Sequence, residues 1–463
     1  MRLTSCARGR RVYSRALMLK RILFSSPGQG SAVHRVAGNI AWLIADRGVR
    51  IFTEIILSAW IASRLGAAEY GLQVYAFGFA AVLQPLASFG LETHITQLFV
   101  KKYAPQVVLG TAFWFKFAAG ALAFFIALAA AFMVHPASDL WTRGLIVIAS
   151  STLVFRSLDV TDLWFQSRIE AHWSVLSRSL VAIVLAIVKI VMLESGASNL
   201  QFTSVLALEV LFVGLISTLV LRVRHPELRE WRFDAALARD MLVRRWPTMA
   251  AAFCVAIYLR AGPVMLGWFH SSAEVGVFGA ANRLAEVVYF LPTAIVASVT
   301  PLVMRFHERS AEEFERALLG VGTLLTWLGV IIALATILVA GPLVSRLYSQ
   351  EFASAAPVLI VLVAAYPIVF GTSANGIWTT MLNHERAAFV RLFASAVLCV
   401  AMNLWLIPRF GALGAAYGLV GAQFAAGVIF HLPSQITRPQ GLRFLRTFLP
   451  SGWRALVWLV RRS

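Results

Sequence analysis

The feature that most limits what this chain can become is the length of its apolar runs. Stretches such as "LGTAFWFKFAAGALAFFIALAAAFMV" (109–134) show neither the two-residue alternation of a half-buried strand nor a narrow helical stripe. Apolar blocks near the ~20 residues that cross a hydrocarbon core form transmembrane helices. Fifty-nine per cent of the 463 residues are hydrophobic and only 14 per cent are charged, against roughly 45–50 per cent and about 25 per cent in soluble domains. A soluble core could not hide that much apolar surface. The chain is therefore a polytopic membrane protein. Unpaired backbone polar groups are excluded from lipid, and the runs are too long and too little alternating for barrel strands, so the fold is all-α.

Twelve spans are expected, at 38–62, 72–98, 109–134, 143–165, 173–193, 201–221, 246–268, 275–304, 317–340, 355–381, 388–407 and 412–432. Residues 1–37 read as a basic cytoplasmic extension whose apolar runs are broken by charges, which argues against a cleaved signal peptide; Met18 is an alternative start. With the N-terminus inside, the inner segments hold 28 lysines and arginines and the outer loops only Arg64, Arg143, Arg346 and Arg409. That asymmetry orients the chain with both termini cytoplasmic. It also accounts for most of the net charge of +19, so nucleic acid is not needed as a partner. The basic segments are expected against anionic headgroups, each Lys or Arg attracted by roughly 1 kcal/mol.

A short motif occurs twice. "LGAAEYGLQVYAF" (65–77) and "HSSAEVGVFGAAN" (270–282) share Ala-Glu-x-Gly, and Pro85 and Pro292 follow downstream. The first lies between spans 1 and 2 and the second between spans 7 and 8, an offset of about 205 residues. This predicts a six-helix bundle at 38–221, a basic linker at 222–245, a second bundle at 246–432 and a basic amphipathic tail at 433–463, the halves sharing one orientation with a site between them. Each motif is expected to be a tight outer hairpin, its glycine allowing the turn and Glu69 or Glu274 keeping it in water.

Nine basic residues fall within or beside spans: Arg47, Arg50, Lys116, Arg156, Arg178, Lys189, Arg260, Arg283 and Arg391. A charge at mid-bilayer costs at least about 2.5–3.5 kcal/mol, so it faces a bundle interior or water. Lys116 and Arg391 lie near span ends and are expected to snorkel. Asp46, Arg50 and Glu54 are four apart; Arg156 and Asp159, with Asp162 beyond, and Arg283 and Glu286 are three apart, so intrahelical pairs are one reading of these and a polar cavity face the other. Arg178, Lys189 and Arg260 have no acid within reach on their own span. Arg178 and Lys189, eleven apart, share one face; either Asp159 and Asp162 neutralise them or they line a watery cavity suited to an anion, above all phosphate. The candidate cavity cations are Arg47, Arg50, Arg178, Lys189, Arg260 and Arg283. Asp46, Glu54, Asp159, Asp162 and Glu286 are candidates for proton or sodium coupling, since buried carboxylates titrate with their surroundings.

Catalytic patterns are missing from the sequence. No GxxxxGK[ST] loop and no two-His metalloprotease spacing occurs, and Cys6, Cys254 and Cys399 show no metal or redox spacing. Outer loops are short, the longest expected being "GPLVSRLYSQEFAS". A transporter without cofactor or metal is expected rather than an enzyme.

Four stretches carry a family resemblance: "GNIAWLIADRGVRIFTEIILSAWIASRLGAAEYGLQVYAFGFAAVLQPLASFGLE" (38–92), "SSAEVGVFGAANRLAEVVYFLPTAIVASVTPLVMRFHER" (271–309), "LYSQEFASAAPVLIVLVAAYPI" (347–368) and "NLWLIPRFGALGAAYGLVGAQ" (403–423). In order and spacing the chain resembles the polysaccharide-biosynthesis membrane proteins, the Wzx-type flippases of lipid-linked oligosaccharides, in the superfamily shared with MATE multidrug exporters. The resemblance implies two pseudo-symmetric six-helix bundles in a V around a cavity that opens alternately to either side. It implies an oligosaccharide on an undecaprenyl diphosphate carrier as substrate, turned over across a bacterial inner membrane for O-antigen, capsule or exopolysaccharide assembly, with a polysaccharide polymerase and glycosyltransferases as partners. The family has no invariant motif by which cavity residues could be carried over. A cation-coupled drug exporter and a non-transporting assembly partner are the alternatives. The tail "GLRFLRTFLPSGWRALVWLVRRS" (441–463) lies outside the resemblance and reads as a basic interfacial helix with Trp453 and Trp458.

Overall fold

The computed structural model describes residues 55–100, 103–136, 138–168, 170–381 and 385–462. Asp46, Arg47, Arg50 and Glu54, with most of the first expected span, lie outside the described residues. All regular structure among the described residues is helical, as the backbone's need for internal hydrogen bonds in lipid requires. In chain order, α1 is Ile55–Leu65, α2 Ala67–Ser88, α3 Glu92–Val100, α4 Pro105–Val134, α5 Leu140–Phe155, α6 Val160–Ser167, α7 Ala171–Glu194 and α8 Asn199–Arg224. The remainder are α9 Ala235–Phe269, α10 Ser272–Glu286, α11 Phe290–Arg309, α12 Ala311–Leu347, α13 Ala355–Val363, α14 Tyr366–Ser373, α15 Asn375–Met381, α16 Glu385–Gly427, α17 Arg438–Arg446 and α18 Pro450–Arg462.

Nine helices among the described residues are long and apolar enough to cross a membrane, against twelve expected. The difference has physical causes. The expected span 72–98 breaks where Phe89 and Gly90 both take positive φ (54° and 61°), which separates α2 from α3. The last two expected spans run together as α16, a 43-residue helix interrupted at Gly411 (φ 53°, ψ −129°). Around that break the chain doubles back: a Cβ on Gly418 would lie 2.0 Å from Asn403 Oδ1, and one on Gly421 2.5 Å from Met402 Cε. Short 3₁₀ turns also interrupt the helical runs at Arg156–Asp159 and Val287–Tyr289. The expected long loop "GPLVSRLYSQEFAS" is half helix, because α12 continues to Leu347.

The Ala-Glu-x-Gly segments are not turns. Each lies in the first turns of a helix, at the start of α2 and of α10. Their glycines serve a helix crossing instead: a Cβ on Gly71 would sit 1.7 Å from Ser272 O, and one on Gly276 2.1 Å from Ala67 O. Small residues let two membrane helices approach until their backbones touch, where dispersion forces replace the hydrophobic effect. The contact continues along α2, with Tyr75 against Gly267 and Val74 against Gly279.

The two glutamates also act alike. Glu69 Oε2 accepts a hydrogen bond from Asn199 Nδ2 (2.8 Å) at the start of α8, and Glu274 Oε2 accepts from Ala412 N (2.9 Å) just after the Gly411 break. At the same end Glu351 Oε2 accepts from Ala67 N (2.8 Å). The Glu351 and Glu274 carboxylates each satisfy an otherwise orphaned backbone N–H at the start of a helical segment, whereas Glu69 holds a side-chain amide. Ser63 Oγ donates to Leu347 O (3.3 Å) and accepts from Ser349 N (3.1 Å). One end of the molecule is thus sealed where α1 and α2 meet α10, the end of α12 and Glu351.

Space at the crossing yields a stability prediction. Gly71→Ala or Gly276→Ala drives a methyl group into backbone, and overpacking of this kind costs about 1–3 kcal/mol. Gly341 is the control, because a Cβ added there would meet nothing within 4 Å. Thermal melts of detergent-purified protein should show both crossing variants lowered and Gly341→Ala unchanged or raised; equal melts would disprove the crossing.

Candidate functional site

Beyond the sealed end, a cavity of about 730 Å³ separates α2, α5 and α8 from α9 and α10. Tyr70 and Gln73 lie nearest the crossing, and Ser88, Gly90 and Glu92 lie at the far end, where α2 breaks. The helix interruptions gather at this space. Arg156, on the first 3₁₀ turn, lines it, as does Glu286, immediately before the second. Non-helical backbone at membrane depth persists where it borders water rather than lipid, which accounts for the positions of these breaks.

Arg260 and Glu286 form the central ion pair, Nη1 to Oε1 at 2.7 Å, with both side chains partly accessible. Asn282 Nδ2 donates to the same Oε1 at 3.0 Å from one turn away on α10. Arg260, which has no acid within reach on its own helix, therefore finds one on the neighbouring helix. Arg283 lies next to Asn282 on the same lining. Arg156 is 3.9 Å from Asp159, the expected i,i+3 pair. Three arginines and two glutamates, Glu92 and Glu286, make up the charged lining of the cavity among the described residues. Gln73, Gln84 and Thr152 add neutral hydrogen-bonding groups, while Phe77, Leu206 and Val255 supply apolar wall.

Of the candidate cavity cations, Arg260 and Arg283 line this space, and Arg178 and Lys189 do not. Arg178 Nη2 donates to Asp162 Oδ2 at 2.8 Å, the neutralising arrangement left open by the sequence. Lys189 Nζ lies 2.5 Å from Glu209 Oε2 on α8. Their shared helical face is real, but it turns toward α6 and α8, whose acids a single-helix reading cannot place. Lys116 departs from expectation too. It is buried, at 3% exposure, rather than snorkelling. It lies within electrostatic reach of Asp159, Glu92, Arg156 and Asp162. Arg391 is half-buried beside His431 instead of reaching to a headgroup.

Among the coupling candidates, Glu286 faces the cavity, Asp159 stands behind Arg156, and Asp162 holds Arg178 and accepts from Gln166 Nε2 (3.0 Å). Among the described residues no group of three or more His, Cys, Asp or Glu could hold a metal ion. Sequence reasoning misses Gln84 and Tyr70 as lining residues, leaves Arg156 out of the cavity cations and does not place the acid Glu92 in the cavity. The available signal is Pro85 followed by Phe-Gly, which ends α2 and turns Glu92 inward.

A profile of the family described as "Polysaccharide biosynthesis protein" matches residues 61–357. No curated protein matches the chain in sequence. Among solved structures, the fold is similar to the lipid II flippase MurJ in an inward closed conformation, with TM-score 0.62 and 12% identity over 90% of this chain and 93% of that one. It is similar to an inward-facing MATE-family multidrug resistance transporter of the MOP superfamily, with TM-score 0.61 and 16% identity over 89% and 95% of the two chains. An outward-facing MATE transporter gives TM-score 0.54 and 13% identity over 94% and 98%. At such identities the likeness concerns the fold: a multi-pass helical membrane protein built like these transporters. The family match spans more than half of the sequence, and the chain belongs to the polysaccharide biosynthesis protein family.

Proposed function

We propose that this protein is a flippase, moving an oligosaccharide linked through a diphosphate to a polyprenyl carrier across the bacterial inner membrane by alternating access. The observation that carries this reading is the cavity between the two sets of helices, closed at the Gly71–Gly276 crossing and edged by Arg156, Arg260 and Arg283. Guanidinium groups bind phosphate oxygens as bidentate forks, and a diphosphate offers several such oxygens. We read the sealed end as the outer face, on the excess of lysine and arginine on one side of the spans, which makes the state inward-facing with both termini cytoplasmic.

The cavity has the volume of a small-molecule site, within roughly 300–1,000 Å³. The diphosphate and adjoining sugar occupy it, while the polyprenyl tail remains in the bilayer. In the empty state Glu286 neutralises Arg260; an arriving diphosphate displaces that carboxylate as the partner of the guanidinium. Glu286 is thereby freed to take up a proton or sodium ion, with Asp159 and Asp162, and Asp46 and Glu54 of the first span, as further coupling candidates. Opening the outer side needs the glycine crossing and a handful of hydrogen bonds to part, each worth about 0.5–1.5 kcal/mol net. Supply of substrate and its later use place glycosyltransferases and a polymerase beside it. Each role is binding and conformational, and no bond in the substrate is broken.

Gene deletion tests the substrate. Surface polysaccharide should disappear and the lipid-linked unit accumulate on the inner leaflet, with wild type restoring both. At matched protein levels Arg260→Ala and Arg283→Ala should each reduce restoration about tenfold, the scale of losing one hydrogen bond to a charged group. Arg178→Ala and Lys189→Ala, outside the cavity, should restore it. Intact glycan with altered drug tolerance would replace the flippase by an exporter.

Access is tested separately. In a cysteine-free background, Gln84→Cys should react with a membrane-impermeant thiol reagent in inside-out vesicles and stay unreactive in right-side-out ones. The reverse pattern would invert the assigned orientation.

A further inference from the structure

The tail beyond the last span builds a second site. α17 and α18 dock on α12 through small residues: Gly452 lies against Thr323, and a Cβ on Gly320 would be 2.9 Å from Ala455 O. Trp327 Nε1 donates to Thr447 O at 3.3 Å, and the Trp327 and Trp453 rings lie 5.6 Å apart. Arg443, only 5% exposed, fastens α17 in place. Its Nη2 and Nε donate to Glu315 Oε2 at 2.7 and 3.2 Å, and its Nη1 to Asn375 Oδ1 at 2.9 Å. The sequence reading of a single helix lying on the leaflet is thus replaced by a docked helical pair.

Above this pinned arginine, a cavity of about 740 Å³ opens between α12, α17 and α18. Arg316 is occupied there, paired with Glu312 at 2.7 Å and lying 5.4 Å from the Trp458 ring. Arg438, Arg446 and Arg454 also line the cavity, from the two ends of α17 and the first turns of α18. All three are exposed, and none pairs with a carboxylate among the described residues. Three guanidinium groups lining one space repel one another, and an anion entering it would relieve that repulsion. The surroundings identify the depth of the site. Leu445, Phe448, Leu449, Trp453, Val457 and Val460 on the same two helices and their connection are exposed apolar side chains, which in a membrane protein meet acyl chains. The arginines beside them therefore stand at headgroup level, where tryptophan and arginine concentrate.

We propose that this groove binds the phosphate of an anionic phospholipid headgroup, held by Arg438, Arg446 and Arg454 against the wall formed by Trp458 and Leu442. The site is separate from the transport cavity and does not depend on the flippase reading. It abuts the end of α11, where the Phe306 and Trp458 rings lie 5.1 Å apart. A bound lipid would thus brace α12, α17 and α18 against the helical run that begins with the Glu286-bearing α10.

The full-length protein is reconstituted in phosphatidylcholine nanodiscs with increasing phosphatidylglycerol, and retained phosphatidylglycerol is counted by native mass spectrometry. Wild type should hold it saturably. The triple variant Arg438→Gln/Arg446→Gln/Arg454→Gln should weaken retention about a hundredfold, from roughly 1 kcal/mol per basic residue. A second triple variant, Arg229→Gln/Arg239→Gln/Arg461→Gln, removes the same charge elsewhere and should stay within about threefold of wild type. Equal retention by wild type and groove variant, or equal loss from both triple variants, would overturn the site. Melting curves establish folding, and the triple Arg→Lys variant, which keeps charge without the fork, should fall between wild type and Gln if geometry matters. Displacement by millimolar pyrophosphate would support a phosphate site open to soluble ligands, and lipid retained against it a site that also holds the acyl chains.

Discussion

The close approach of Gly71 and Gly276 is the contact on which the rest of the molecule depends. A single methyl group on either would collide with the backbone of the facing helix. With neither present, α2 and α10 touch at one end and diverge toward the other, and the divergence is the cavity. Membrane helices have no hydrophobic driving force toward one another, so their association is concentrated where backbones can meet. Glu351 on Ala67 N, and Ser63 on Leu347 O and Ser349 N, add directional bonds at the same end. A joint confined to one end can open without dismantling the bundles, which is what a rocking transporter requires.

Much of the fold is legible in the sequence because lipid is a severe solvent. Span length and helical character follow from apolar blocks of about 20 residues. Where sequence and structure part, the cause is local backbone chemistry. Phe89 and Gly90 break an expected continuous span, and Gly411 folds two spans back without a conventional loop. The repeated Ala-Glu-x-Gly is visible in the sequence, yet its composition suits a turn as well as a helix crossing. Glycine is used both for turns and for close helix packing, and only three-dimensional neighbours separate the two uses.

The site is legible to a lesser degree for a related reason. Intramembrane charges stand out against an apolar background, so Arg260, Arg283 and Glu286 are visible as unusual. Which charges share a space depends on neighbouring helices. Lys189 has no acid within reach on its own span yet meets Glu209 on the next, and Arg178 meets Asp162. Spacing along one helix identifies partners three or four residues away and is silent about every other pair. Glu92 reaches the cavity only because α2 ends before it, a break that apolar run length does not reveal.

The pairing of Arg260 with Glu286 carries a final implication for how an arginine-lined cavity can exist in a membrane. An uncompensated guanidinium at that depth would be costly to insert, and one permanently locked to a carboxylate could not bind substrate. A partly accessible pair, with Asn282 sharing the carboxylate oxygen, lies between these limits. The protein folds with its charge compensated, and under the proposed function an incoming phosphate would have only to replace one anion by another. On that proposal the exchange would leave Glu286 held by Asn282 beside a newly bound negative charge, a place for a coupled cation. Substrate binding and ion uptake at one residue would thereby be linked by electrostatics alone, with no contact needed between the ion and the diphosphate.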